Sequence, residues 1–304
     1  MGNTRHGLPT EIEAVVAAHL PGRRVGSVVP LGEGQDNVAY EVDGELIVRF
    51  SKEADPEEQA AAVTGEARLL SAVAEVSPIP VPVPLFTIAD QGCLAYSKLP
   101  GLPLIDLSPA RRTARSGSIA AVLGGFLTAL HQVPVDAMAG LADIDDQPKE
   151  LWLREAAETY ASVADHVPGM YRPAVEAFLE APAPADGHSV VFSHNDLGIE
   201  HVLVDPATWR VTGVIDWSDA AFTDPAYDFG LLYRDLGPDF LGLVLRDYRN
   251  DAHSVQGIRT RAAFYARCAV LEDLAYGIEP GHGKYLDKSL DALRWLFPSG
   301  TRTP

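Results

Sequence analysis

The chain has 304 residues, 47% hydrophobic and 22% charged, which excludes a disordered chain and leaves room for two compact units. Acidic residues number 42 against 24 basic ones, a formal charge of −18 that repels a phosphate backbone, argues against nucleic-acid binding and favours cationic partners. The most apolar stretch, Ile119 to Leu130, is far shorter than the roughly 20 residues of a bilayer crossing, Met1 to Leu20 lacks the pattern of a secretion signal, and Cys93 and Cys268 are too few to staple the fold, so a cytoplasmic monomer without a membrane partner is expected.

Thr10, followed by apolar residues at Ile12, Val15, Val16 and Leu20, predicts an opening helix with Thr10 as its cap and Pro21-Gly22 as its stop. Val25 to Leu31, Val38 to Val42 and Leu46 to Phe50 read as three antiparallel strands, broken by Gly32-Glu33-Gly34 and by the hairpin turn Asp43-Gly44. Pro56 opens a helix to about Val76. The prolines of Ser77 to Pro84 then impose an extended connector, before two further strands at Leu85 to Ile88 and Cys93 to Ser97. Past Pro100-Gly101 the pattern changes to helices at Pro109 to Gln132, Lys149 to Val163 and Tyr171 to Glu180. A hairpin of His201 to Val204 and Val211 to Ile215 follows, and helices resume from Phe240. The compositional boundary near residue 98 separates a first lobe, 1–97, from a second, 98–304.

The chemistry concentrates in Ser193-His194-Asn195-Asp196-Leu197-Gly198-Ile199-Glu200-His201, with Asp216-Trp217 after the hairpin and Asp224-Pro225-Ala226-Tyr227-Asp228 beyond it. Phosphoryl transfer needs one carboxylate to orient the attacking hydroxyl and another to hold the metal that offsets phosphate charge, and this spacing provides two. In the first lobe, Leu31 to Val38 is a glycine-bearing turn, Arg49 lies on a strand and Glu66 on the helix after it, the order in which a phosphate-covering hairpin, a cation and its acidic partner occur in kinases.

These motifs resemble the aminoglycoside phosphotransferase family, whose loop reads His-x-Asp followed after four residues by Asn, with a second Asp opening a later loop. The resemblance implies an α+β, bilobal, protein-kinase-like fold: an antiparallel sheet plus helix in the nucleotide-binding lobe, and a mostly helical catalytic and acceptor-binding lobe with a catalytic hairpin. It implies Asp196 as catalytic base, His194 as support of its loop, and Mg2+ held at Asp216 and His201. His201 replaces the usual Asn, as in aminoglycoside 2''-kinases and macrolide kinases, and imidazole is an unusual ligand for a hard ion. Gly32, Gly34 and Asn37 would form the nucleotide loop, Arg49 would replace the usual phosphate-contacting lysine with Glu66 as its partner, and Asp228 would brace the catalytic loop. Ser97 and Leu99 would meet the purine edge, and Tyr96 at the back wall resembles relatives that use GTP, so GTP or ATP is the expected donor.

The implied reaction moves the γ-phosphate to a hydroxyl of a small cationic antibiotic, foremost an aminoglycoside, with Asp235, Asp239, Glu272 and Asp273 as candidates for meeting its ammonium groups. A tuberactinomycin peptide, a choline, homoserine or thiosugar acceptor, and a macrolide with Phe240, Leu241, Leu243, Val244 and Leu245 lining its pocket are the alternatives. A non-catalytic nucleotide-binding regulator would have lost the base or the metal carboxylate, and neither Asp196 nor Asp216 is lost.

Overall fold

The computed structural model of the chain describes residues 9–34, 36–185, 187–250 and 254–298. The opening residues 1–8 and Gln35, part of the glycine-bearing turn, lie outside them. The chain divides into two compact units, residues 1–101 with 212–218, and residues 102–211 with 219–304. The first thus extends to Gly101 and takes in the segment carrying Asp216, where the sequence places a single boundary between 97 and 98.

In the first unit, helix α1 (Pro9–His19) precedes strands β1 (Val28–Glu33), β2 (Asn37–Val42) and β3 (Leu46–Ser51), helix α2 (Pro56–Val76) and strands β4 (Pro84–Ile88) and β5 (Cys93–Ser97). The strands form one antiparallel sheet in the order β1-β2-β3-β5-β4. Asp43 and Gly44 make the β2–β3 turn with φ of 55° and 72°, the left-handed pair that matches strand twist in a tight hairpin. The Asp43 carboxylate also accepts from the backbone N–H groups of Gly26 and Ser27, both at 2.8 Å. Helix α1 begins at Pro9, one residue before the expected cap, because proline at a helix start gives up only an N–H that would lack a partner there.

Alternation on β3 sets the geometry of this unit. Leu46, Val48 and Phe50 join Val42, Cys93 and Ala95 in a core closed by Ile12 and Val16 of α1. Ile47 and Arg49 point to the opposite face, since successive side chains of a strand alternate. Helix α2 starts where Asp55 accepts from the N–H groups of Glu57 at 2.9 Å and Glu58 at 3.1 Å, with Pro56 as its first residue. In the 212–218 segment, the N–H of Val214 donates to the Pro80 carbonyl at 3.1 Å.

The second unit contains strand β6 (Leu102–Pro103), helices α3 (Pro109–Ala114), α4 (Ser116–Leu130), α5 (Lys149–Val163) and α6 (Arg172–Glu180), strands β7 (Val191–Ser193) and β8 (Val202–Val204), the start of β9 (Val211–Val214), strand β10 (Ala221–Thr223), and helices α7 (Ala226–Asp247), α8 (Val255–Ile278) and α9 (Gly283–Leu296). Strand β6 pairs antiparallel with β8, and β7 with β10. The stretch expected as one helix over 109–132 breaks at Arg115, whose ψ of 8° leaves the helical range. Element α7 is two helical segments that meet at Gly237, whose φ of 83° is non-helical, followed by Pro238; the second segment begins close to the expected Phe240, and the first, from Ala226, was not expected. Helix α7 packs against α4, α8 and α9, burying Phe126, Leu127, Phe229, Leu232, Val244, Ala266, Val270 and Leu293. A fully buried side chain of this size contributes about 1.5–3 kcal/mol. At Gly230 an added Cβ would meet Tyr265 at 3.0 Å and the Ala262 carbonyl at 3.1 Å, so glycine is what lets α7 and α8 approach. Among the described residues no helix is long and apolar enough to cross a membrane.

Candidate active site

Buried β7 delivers the chain into the His194 to His201 loop, which is fixed from beneath by α7. Asp224 starts that helix by accepting from the Ala226 N–H at 2.9 Å, and is itself held by the Arg261 guanidinium at 2.6 Å and the Tyr265 hydroxyl at 3.2 Å. One turn on, fully buried Asp228 accepts from the backbone N–H of His194 at 3.1 Å and of Asn195 at 2.9 Å. These bonds hold Asn195 at a φ of 63°, a left-handed conformation uncommon outside glycine, with its amide reaching Asp145 at 3.3 Å. The buried ring of His194 accepts the Asp196 N–H at Nδ1, 3.2 Å away, so it shapes the loop and leaves Asp196 partly exposed. His201 Nε2 lies 3.6 Å from Asp196 Oδ2.

In the first unit, Arg49 Nη1 donates to Glu66 at 2.7 Å, with side-chain exposures of 14% and 16%. Burial works against the charge of Arg49, but Glu66, Tyr96 and Asp216 raise its pKa. Burial also raises Glu66; Arg49 pulls it down while Asp216 adds to the rise. Asp216, at a φ of 64°, therefore belongs with Arg49, Glu66 and Tyr96, while Asp196, His194 and His201 belong with the second unit. In the glycine-bearing turn, the Gly34 N–H donates to the Asn37 carbonyl at 2.9 Å, and Lys52 Nζ donates to the Gly34 carbonyl at 2.6 Å. Neither Gly32 nor Gly34 has a positive φ, and a Cβ on Gly32 would meet open space, so the missing side chains leave backbone uncovered. Ser97 is exposed and Leu99 half-buried at the end of β5.

The four acceptor candidates separate. Glu272 is exposed on α8, with a pKa raised by desolvation and by the carboxylates of Asp196, Glu155 and Asp219, against the pull of Arg234. Glu155 and Glu272 flank a cleft of about 120 Å³ that Trp152 also lines, and Trp152 lies 5.0 Å from the Tyr227 ring. Asp239 is exposed beside the α7 kink, in a different cleft with Arg112 and Arg294. Asp235 and Asp273 are both 8% exposed and already have cationic partners within the chain, Asp235 bonded to Arg234 at 2.7 Å and Asp273 lying 2.9 Å from Lys288. Among the described residues no three His, Cys, Asp or Glu side chains converge as a metal site.

Sequence reasoning passed over Arg234, Lys288 and Glu200. The lysine left a signal: on α9 it stands one turn before Ala292 in the buried stripe of Ser289, Ala292, Leu293 and Leu296, a charge where the helix faces inward.

An antiparallel sheet bearing a half-buried Arg–Glu pair, a helical unit, and a loop presenting one carboxylate over a braced backbone are the parts a phosphotransferase needs. The phosphotransferase enzyme family matches residues 27–265, and the chain belongs to it. It is 27% identical over 237 residues to the viomycin phosphotransferase of Streptomyces vinaceus, covering 74% of this chain and 79% of that protein. Its fold matches that of APH(2")-IIia, solved with GDP and kanamycin, with a TM-score of 0.69 at 20% identity over 93% of this chain and 97% of the other. It also matches the macrolide 2'-phosphotransferase MphH of Brachybacterium faecium, with a TM-score of 0.65 at 24% identity over 96% and 99%.

Proposed function

We propose that this phosphotransferase transfers the γ-phosphate of GTP or ATP to a hydroxyl of a polycationic antibiotic, an aminoglycoside or a viomycin-like peptide. The observation that carries the choice of acceptor is the acidic face of exposed Glu272, Glu155 and Asp219 with partly exposed Asp196; burial raises Glu272 most, the three other carboxylates add to the rise, and ammonium groups would relieve their repulsion. Trp152 adds a ring face that attracts cations. Kanamycin in a related fold and viomycin in the name of a relative point the same way.

In this reading Asp196 orients the acceptor hydroxyl and takes its proton as the new bond to phosphorus forms. His194 and Asp228 act only through the backbone that holds Asp196. Arg49, kept charged by Glu66, meets the phosphates. The oxygen donors of Asp216 suit Mg2+, whose remaining ligands would come from phosphate and water; when bound, the ion neutralises phosphate charge. His201, beside Asp196, suits that hard ion poorly and serves better as a neighbour of the base. Tyr96, which sits beside Arg49, would stand at the back wall of the base pocket in this reading and favour guanine, a preference supported by the GDP held by the related fold.

A macrolide acceptor is disfavoured because four of its five expected apolar lining residues, Phe240, Leu241, Val244 and Leu245, are buried in the core, and Leu243 alone is half-buried. The test is a nucleotide-consumption screen across aminoglycosides, viomycin-like peptides, macrolides and small alcohols with GTP and with ATP. Turnover with polycationic acceptors is expected; turnover confined to macrolides or small alcohols would refute this function, and strict ATP use would remove the guanine preference alone.

A further inference from the structure

Behind the catalytic loop lies a buried ionic cluster on the face away from Asp196's acceptor role. Lys288 Nζ is 3.0 and 2.8 Å from the two carboxylate oxygens of Glu200, 2.9 Å from Asp273 and 3.4 Å from Asp235. Arg234 donates to Asp235 at 2.7 Å through Nε and 3.0 Å through Nη2, and reaches Glu200 at 3.4 Å. Asp235 closes the circuit by accepting the backbone N–H of Ile199 at 3.0 Å. The loop is therefore gripped twice on its far side, through the Ile199 backbone and through the Glu200 side chain, by groups from α7 and α9.

Local sequence accommodates the grip. An added Cβ at Gly198 would collide with the Glu200 carboxylate, so the glycine leaves the space into which that side chain folds back. The Gly198 N–H donates to the Asp196 carbonyl at 2.9 Å and the His201 N–H to the Gly198 carbonyl at 3.1 Å, which ties the gripped residues to the base in one tight turn. Arg234, Asp235 and Lys288 are 5%, 8% and 6% exposed, far from the solvent that makes surface ion pairs weak.

We propose that Lys288 and Arg234 are positioning residues that set the placement of Asp196 through Glu200 and the Ile199 backbone. The proposal rests on Asp196 being the catalytic base. Burial favours neutral Glu200, yet Lys288, ahead of Arg234 and His201, carries its pKa below the ordinary carboxylate value. The same cluster holds three carboxylates against two cations, and this makes Glu200→Gln the informative variant: it leaves Asp235 and Asp273 balanced by Arg234 and Lys288 and spares the fold.

The experiment compares wild type, Glu200→Gln, Lys288→Met and the double variant by thermal unfolding, by hydrogen exchange over residues 197–203 and over β2–β3, and by steady-state kinetics. Expected for Glu200→Gln are near-native unfolding, faster exchange confined to 197–203, a nucleotide KM within about twofold of native and a kcat lower by about tenfold to a hundredfold, the scale on which misplacing a reacting group acts. The double variant should lose no more kcat than Lys288→Met alone, as expected of one unit. Native exchange at 197–203 in Glu200→Gln overturns the proposal, as does loosening spread evenly through the second unit. Wild type that phosphorylates no acceptor would refute the proposed function, while the exchange result would still decide whether the clamp exists.

Discussion

At residue scale the site is built from charges made affordable by their neighbours. Arg49 is the clearest case: with Glu66 at 2.7 Å and Asp216 near, it keeps its charge in a half-buried setting. Arg49→Ala should raise the nucleotide KM by about tenfold or more and lower kcat, since losing a charge-assisted contact costs about 1.5–3 kcal/mol, and unchanged kinetics would place Arg49 outside the phosphate site. Asp273 is the opposite case, pushed up to about 6 by burial, which outweighs Arg234 and Lys288. Its folded carboxyl holds a proton more tightly than the unfolded chain does, so the stability this proton confers is present at low pH and is lost as pH rises from the ordinary Asp value through about 6. Asp273→Asn should therefore gain stability relative to wild type between pH 4 and 7 in urea titrations; a gap that stays flat or reverses sign contradicts the charge imbalance. Glu272, raised above the ordinary carboxylate value chiefly by burial, predicts that the KM for a cationic acceptor rises on acidification and that Glu272→Gln flattens this dependence; a pH-independent wild-type KM would remove Glu272 from the acceptor face.

At the scale of elements, what was legible in the sequence was local and what was not was tertiary. Asp55-Pro56, the Asp43-Gly44 turn and the apolar alternation of Leu46 to Phe50 carry their own geometry, and α2 and β3 follow from them. The first segment of α7, before the Gly237-Pro238 break, was not legible locally, and its place is set by packing against α8 and α9. The burial of Asp235 and Asp273 was hidden for a related reason: Asp235 on α7 and Asp273 on α8 both pair with Arg234 of α7, so their exposure could not be read from residue type. Asp228 was readable only through the family resemblance, and its two bonds to the backbone N–H groups of His194 and Asn195 are the tertiary contacts behind that role. Asp55→Ala removes the two bonds that start α2, the helix carrying Glu66, and should cost about 1 kcal/mol, seen as a lower denaturation midpoint with an unchanged slope. A change within about 0.2 kcal/mol would mean that α2 does not need its cap.

For the whole molecule, the excess of acid over base acquires a location. The formal charge of −18 by itself names no partner, but Glu155, Asp219 and Asp196 gather around Glu272, while other carboxylates are paired with Arg234, Arg261 and Lys288 in the interior. The remaining acids include capping groups such as Asp55 and Asp205, which stabilise turns and helix starts without facing any substrate. Fold and reaction class were thus carried by short ordered motifs, and acceptor choice by helices whose pattern records only burial. The most direct measurement is mass spectrometry of an aminoglycoside or viomycin-like peptide incubated with GTP, Mg2+ and either the native chain or Asp196→Ala, alongside nucleotide binding by both. The account predicts a product heavier by one phosphoryl group with the native chain, none with Asp196→Ala, and nearly equal nucleotide affinity; undiminished product formation by Asp196→Ala would contradict it.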